Sequence, residues 1–202
     1  MGHQPGASAL PDQQRRVNPF EIAREAYEQH HASQRLDELS MAIEAAASVD
    51  PRVIVEIGCD AGGSLFCWRQ ICDTVYGITL DDNSPVTGGQ GYPLNTHGAT
   101  VLVGDSRDPA SLVWLRARLA GRPIDVLHID GDHSYEAVDS DYEMYSPLVR
   151  PGGLVLVHDV FNHWDKRVKV HEWWAERFPS AQTISSKRSR PVGFGVITKE
   201  ME

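Results

Sequence analysis

The chain has 202 residues, of which 41% are hydrophobic and 23% charged, and it carries a formal net charge of -9. That length suffices for one domain with a full core. The acidic balance excludes a nucleic-acid surface, which needs a basic face, and no apolar run reaches membrane-spanning length.

Residues 1–17 are polar with scattered Gly and Pro, and are expected to form a mobile arm. Met1–Ser8 has no signal-peptide core, so a cytoplasmic location is expected. A single domain is expected over residues 18–202, opening with helices in residues 18–50. Phe20, Ala23 and Tyr27, then Leu36, Leu39, Ile43 and Ala46, recur at helical spacing. They predict two helices broken near His30-His31-Ala32-Ser33, with the two histidines at a solvated helix end.

From Val53 onward, strand and helix patterns alternate. Strands are predicted over 53–58, 74–80, 100–104, 124–130 and 154–158, with helices over 62–72, 109–120 and 134–149. A further helix carries Val168, Val170, Trp173, Trp174 and Phe178. The spacing of these tryptophans predicts packing on the sheet rather than a pocket wall. Two closing strands, 183–186 and 192–198, are too close for a helical crossover, so they should pair antiparallel. The basic stretch Lys187-Arg188-Ser189-Arg190 between them reads as a solvated hairpin tip. The long loop 81–97, with Gly88-Gly89-Gln90-Gly91, has the length of a functional lid. The expected fold is α/β: a Rossmann-like, seven-stranded, mostly parallel sheet with helices on both faces and an antiparallel last strand.

The first strand leads into a glycine-rich turn, Glu56-Ile-Gly-Cys-Asp-Ala-Gly-Gly-Ser64, and then a helix. Such turns let a ligand approach the backbone beside free N–H groups. Glu56 opposes a pyrophosphate and suits a cationic ligand. Every predicted parallel strand also ends in acid: Asp60, Asp81-Asp82, Asp105, Asp130 with Asp132, and Asp159. Ligands in open α/β sheets sit at those ends, so the rim predicts a shared cationic ligand. Cys59, Cys67 and Cys72 form no C-x-x-C pair, which argues against a disulfide framework or a structural zinc.

With these motifs in order, the chain resembles the class I S-adenosylmethionine-dependent methyltransferases. Within them it is similar to the small branch of cephalosporin hydroxylase-type and sugar or macrolide O-methyltransferases. The resemblance rests on Glu56–Ser64, Gly104-Asp105-Ser106, Ile129-Asp-Gly-Asp-His-Ser-Tyr135 and Pro151-Gly152-Gly153 through His158-Asp159, and covers about residues 36–160. It implies transfer of a methyl group from S-adenosyl-L-methionine to a small-molecule hydroxyl on a sugar, polyketide or phenol-like acceptor.

The implied cofactor-binding residues are Glu56, Gly58, Asp60, Gly62, Ser64, Asp81, Asp105, Ser106 and Asp130. The ribose position departs from the family pattern: Thr79 stands where an acid is usual, leaving Asp81 or Thr79 for that contact. Asp130, His158 and Asp159 are the implied ligands of a divalent ion, Mg or Mn, with Asp130 and His133 as catalytic residues and His133 as the base. Oxygen ligands favour Mg²⁺, and an imidazole shifts preference toward Mn²⁺, Fe²⁺ or Zn²⁺. A small-molecule acceptor and a homodimer are the expected partners. The rival readings are a nicotinamide-type oxidoreductase, a metal-dependent hydrolase suggested by His128-x-Asp130-x-Asp132-His133, and a non-catalytic cofactor-binding relative. The first is opposed by the glycine spacing, which is not G-x-G-x-x-G.

Overall fold

The computed structural model describes residues 18–82, 91–187 and 189–200. The expected N-terminal arm, the Gly88-Gly89-Gln90 part of the long loop and Arg188 lie outside the described residues.

Two helices open the chain, α1 (Pro19–Gln29) and α2 (Leu36–Ala47). Asn18 caps α1 by accepting from the Glu21 N–H, and Pro19 occupies the first turn, where its missing N–H costs nothing. Then come β1 (Ile54–Ile57), α3 (Gly63–Ile71), β2 (Val75–Thr79) and β3 (Thr100–Val103). They are followed by α4 (Pro109–Leu119), β4 (Ile124–Ile129), α5 (Tyr135–Tyr145) and β5 (Val149–His158). The described chain closes with α6 (Val170–Arg177), β6 (Gln182–Ile184) and β7 (Phe194–Thr198).

The seven strands form one sheet in the order β3-β2-β1-β4-β5-β7-β6. Pairs from β3 through β5 are parallel, and β7 runs antiparallel to both of its neighbours. Alternate strand residues feed two apolar layers. Ile54, Val126, Leu154 and Leu156 pack with α1, α2 and α3; Val55, Ile57, Leu127, Val155 and Val157 pack with α4, α5 and α6. Trp173 and Trp174 are buried in the second layer, as their helical spacing predicts. Full burial of one such large apolar side chain is worth about 1.5–3 kcal/mol. No described helix is long and apolar enough to cross a membrane.

Two boundaries differ from the sequence expectation. The fifth helix stops at Tyr145 and tightens into a 3₁₀ turn, Ser146–Leu148, because Pro147 has no N–H to continue the ladder. β5 begins at Val149 rather than Leu154. A register shift opposite Ile124 and Val126 absorbs Arg150-Pro-Gly-Gly153, and Gly152 N–H and Gly153 C=O pair with Lys199.

Strand order reverses between β1 and β4, since β1 leads outward to β2 and β3 while β4 leads to β5. This switch point opens a crevice at the carboxyl edge of the sheet. The segment between α1 and α2 covers that edge. α2, which follows it, is tied to the β6–β7 connection by the buried carboxylate of Glu38, which accepts the N–H groups of Ser186 and Gly193 at 3.0 Å each.

Candidate active site

A cavity of about 730 Å³ lies at this edge, within the usual range for a cofactor-sized ligand. Its lining brings together the ends of all five parallel strands: Gly58 and Asp60, Thr79 and Asp81, Asp105 and Ser106, Asp130 and His133, His158 and Asp159. Ser64 joins them from the first turn of α3.

Two of the expected cofactor residues do not line the cavity. Gly62 is the left-handed cap residue before α3. Glu56 is fully buried, opposite His128 in the β1–β4 register, on the sheet face covered by α3. There it accepts from Trp68 Nε1 at 3.1 Å and lies 2.7 Å from His128 Nδ1. The strand register therefore turns Glu56 into the helix layer beneath the site.

Gly58 has φ +84°, and a side-chain carbon there would meet the Asp130 carbonyl oxygen at 2.1 Å. The turn needs this glycine so that the end of β4 can close on it, before any ligand is considered.

Asp130 sits at the centre. Its Oδ1 lies 3.0 Å from His158 Nδ1, and its Oδ2 accepts from Gln34 Nε2 at 2.6 Å. Burial alone would push the Asp130 carboxyl up. The charge and hydrogen bond of His158, with His128 and His133 nearby, outweigh it and hold the carboxyl well below its ordinary range. His158 is buried too, which would lower its value, yet Asp130 and Asp159 raise it. The pair is therefore ionised, with Nδ1–H donating to Asp130.

His133 bridges two carboxylates: Nδ1 lies 3.1 Å from Asp159 Oδ2, and Nε2 lies 3.7 Å from Asp130 Oδ1. One ligand atom from each of Asp130, His133 and Asp159 falls within 4.8 Å of the others. His158, expected among the ion's ligands, instead buttresses Asp130, and His133 occupies the convergent position.

At the other end, Arg107 chelates Asp105 through Nε at 3.0 Å and Nη2 at 3.2 Å, which holds the Asp105 carboxyl below its ordinary value. The backbone oxygen of Ser106 accepts from Tyr145 Oη at 2.6 Å. Behind it Asp141 is buried, and desolvation pushes its carboxyl up to about 6. The Thr79 hydroxyl accepts the Cys59 N–H at 3.4 Å and so ties the glycine turn to β2. Burial, with Glu56 nearby, raises the Cys59 thiol far above its ordinary value, which removes it as a nucleophile.

Several site features were not foreseen. Gln34 lines the cavity from the α1–α2 segment. The histidine pair does end α1, with His31 exposed, but it also makes ring contacts: His30 packs on Phe66 at 4.1 Å, and His31 lines the cavity and stacks on Tyr92 at 3.4 Å. Trp173 and Trp174, expected to pack on the sheet rather than wall a pocket, are indeed absent from the lining, as is Trp164. At the expected hairpin tip, the Arg190 carbonyl accepts from Arg35 Nη2 at 2.7 Å.

A parallel sheet with its last strand inserted antiparallel between β5 and β6, carrying an acidic cavity at its carboxyl edge, defines the class I S-adenosylmethionine-dependent methyltransferases. The chain belongs to the methyltransferase-domain family, whose model matches residues 55–160. Demethylmacrocin O-methyltransferase of Streptomyces fradiae is 33% identical over 106 residues, covering 51% of this chain and 24% of that protein. The 8-demethyl-8-alpha-L-rhamnosyl tetracenomycin-C 2'-O-methyltransferase of Streptomyces olivaceus is 32% identical over 144 residues, covering 67% and 32%. The chain thus spans a third or less of either relative.

Among solved structures, the fold matches MycE methyltransferase of the mycinamycin biosynthetic pathway, in complex with Mg, SAH and mycinamycin VI. The TM-score is 0.60 at 18% identity, over 92% of this chain and 56% of that one. It also matches the O-methyltransferase TomG from Streptomyces achromogenes in complex with SAM, with TM-score 0.58 and 16% identity over 92% and 91%.

Proposed function

We propose that the chain is an S-adenosylmethionine-dependent O-methyltransferase acting on a small-molecule hydroxyl, with a divalent ion held by Asp130 and Asp159. The observation that carries this reading is the convergence of Asp130, His133 and Asp159 in a cofactor-sized cavity of a methyltransferase-domain chain. The residues fit both groups. The cavity has the volume and the acidic lining for a sulfonium compound, and the buried Gln34 Oε1 has no hydrogen-bond partner among the described residues. The ion would be met by two carboxylates, one of them kept ionised by His158, and such oxygen donors suit Mg²⁺ or Mn²⁺.

In this reading Ser64 and the Gly58–Asp60 turn hold the methionine end, Asp81 takes the ribose hydroxyls, and Asp105 with Ser106 borders the adenine. Bound there, the cofactor would supply an activated methyl group, and the ion would lower the pKa of the acceptor hydroxyl. Asp159 fixes the His133 ring through Nδ1, which leaves Nε2 to accept the hydroxyl proton. A second reading is favoured by the same convergence: His133 is itself a ligand of the ion, and the proton leaves to solvent.

The names of the relatives point to sugar-bearing natural products as the first acceptors to try. The test is transfer of labelled methyl from S-adenosylmethionine to glycosylated, phenolic and polyketide hydroxyls. Transfer lost with excess chelator and restored by Mg²⁺ or Mn²⁺ is expected. Transfer only to nucleic acid or to protein lysines would overturn the proposal.

A further inference from the structure

We infer that Gln34 is a cofactor-binding residue, its carbonyl oxygen receiving the ammonium group of the methionine end. This rests on the reading of the cavity as an S-adenosylmethionine site and adds a residue outside the 55–160 stretch that the family model matches.

The amide orientation follows from chemistry. A carboxylate oxygen accepts, and the nitrogen of Gln34 faces Asp130 Oδ2 at 2.6 Å. The oxygen is then directed away from Asp130. Gln34 is 5% exposed and lines the cavity, and its Oε1 has no hydrogen-bond partner among the described residues. A buried acceptor left unmade costs free energy, so such an atom points to a ligand donor.

The surroundings select which donor. The α1–α2 segment is pressed onto the first turn of α3. A side-chain carbon on Gly63 would lie 2.4 Å from Ala32 Cα, so only glycine there admits the segment. Ala32 thus lies against the first turn of α3, and Gln34, two residues on, reaches Asp130. An α-amino acid head group carries a carboxylate and an ammonium on one carbon. The free N–H groups of a helix N-terminus suit the carboxylate. An acceptor oxygen on a side chain bonded to an acidic residue suits the ammonium better than it suits a neutral hydroxyl. The acceptor substrate's hydroxyl is the competing donor, and binding without acceptor separates the two.

The experiment is calorimetric titration of the wild-type chain and of Gln34→Met with two probes, in the absence of any acceptor. One probe is S-adenosylhomocysteine. The other is its deaminated analogue, which has hydrogen in place of the amino group. The wild type should bind S-adenosylhomocysteine roughly tenfold or more tighter than the analogue, as for a hydrogen bond to a charged group. Gln34→Met should lose that preference, with its affinity for the analogue unchanged. Gln34→Ala also removes the acceptor oxygen and should lose the preference in the same way, which covers the case in which the methionine variant does not fold.

If Gln34→Met weakens both probes equally, or neither, Gln34 only positions Asp130 and the inference is wrong. If the wild type binds neither probe, the site is not a cofactor site at all, which is a separate failure.

Discussion

His133 Nδ1 lies 3.1 Å from Oδ2 of Asp159, joining the first turn after β4 to the end of β5. This contact sets the ring so that Nε2 faces the Asp130 side, at 3.7 Å. If Nε2 is the proton acceptor, His133→Ala should bind S-adenosylhomocysteine and metal normally and lose roughly two to four orders of magnitude in turnover. The deficit should shrink as pH rises, because hydroxide replaces the missing base. Metal analysis of the purified variant decides between the two roles: loss of the bound ion together with turnover would make His133 a ligand.

Asp159 has a left-handed backbone, φ 67°, which Asn and Asp tolerate far better than Ala does. Asp159→Asn is therefore the clean substitution. It should keep the unfolding midpoint within a degree or two, lose metal-stimulated activity, and leave S-adenosylhomocysteine affinity within about threefold, as expected when charge but not shape is removed. Full activity of Asp159→Asn in excess chelator would remove the ion from the account.

Asp141 supplies a pH dependence. Burial raises its carboxyl to about 6 in the folded chain. Between its ordinary value and 6, the native state holds a proton that the unfolded chain has released. Stability therefore falls as pH rises through that window, and the full penalty, on the order of 3 kcal/mol, is present above it. Asp141→Asn should stabilise the protein at about pH 8 by this amount and change little at about pH 4. Urea unfolding at the two pH values measures both, and equal effects at both would contradict the assignment.

Gly58 gives a prediction about folding rather than binding. A side chain there meets a left-handed backbone and the Asp130 carbonyl at 2.1 Å. The backbone strain alone costs about 1–3 kcal/mol. Gly58→Ala should accordingly lower the urea midpoint strongly, and Gly58→Val should fail to give soluble protein. A fully stable Gly58→Ala that has lost only its ligand affinity would show that the glycine serves the ligand instead.

The alternation of apolar runs with helical patterns was enough to read the sheet, because strands buried on both faces are apolar at nearly every position. The acidic strand ends were legible for the same reason: Asp105, Asp130 and Asp159 follow runs such as Ile124–Ile129 directly, and topology places those ends on one edge. Gln34 was not legible. It lies in a short polar connection with no pattern of its own, and only the packing of Gly63 on Ala32 brings it to Asp130. The ring contacts of His30 and His31 were hidden for a similar reason, since their partners Phe66 and Tyr92 are distant in sequence. Glu56 was placed correctly along its strand, but its burial depended on the partner across β1 and β4, His128. The exchange of His133 for His158 in the convergent cluster was decided by side-chain direction at the end of β5, which residue order does not convey.

The most direct test of the central claim is calorimetric titration of the wild-type chain with S-adenosylhomocysteine, with NAD⁺ as the control ligand. Saturable binding of one equivalent of S-adenosylhomocysteine and no heat from NAD⁺ is the expected result. Binding of NAD⁺ instead, or no binding of S-adenosylhomocysteine by protein shown to be folded, would contradict the account.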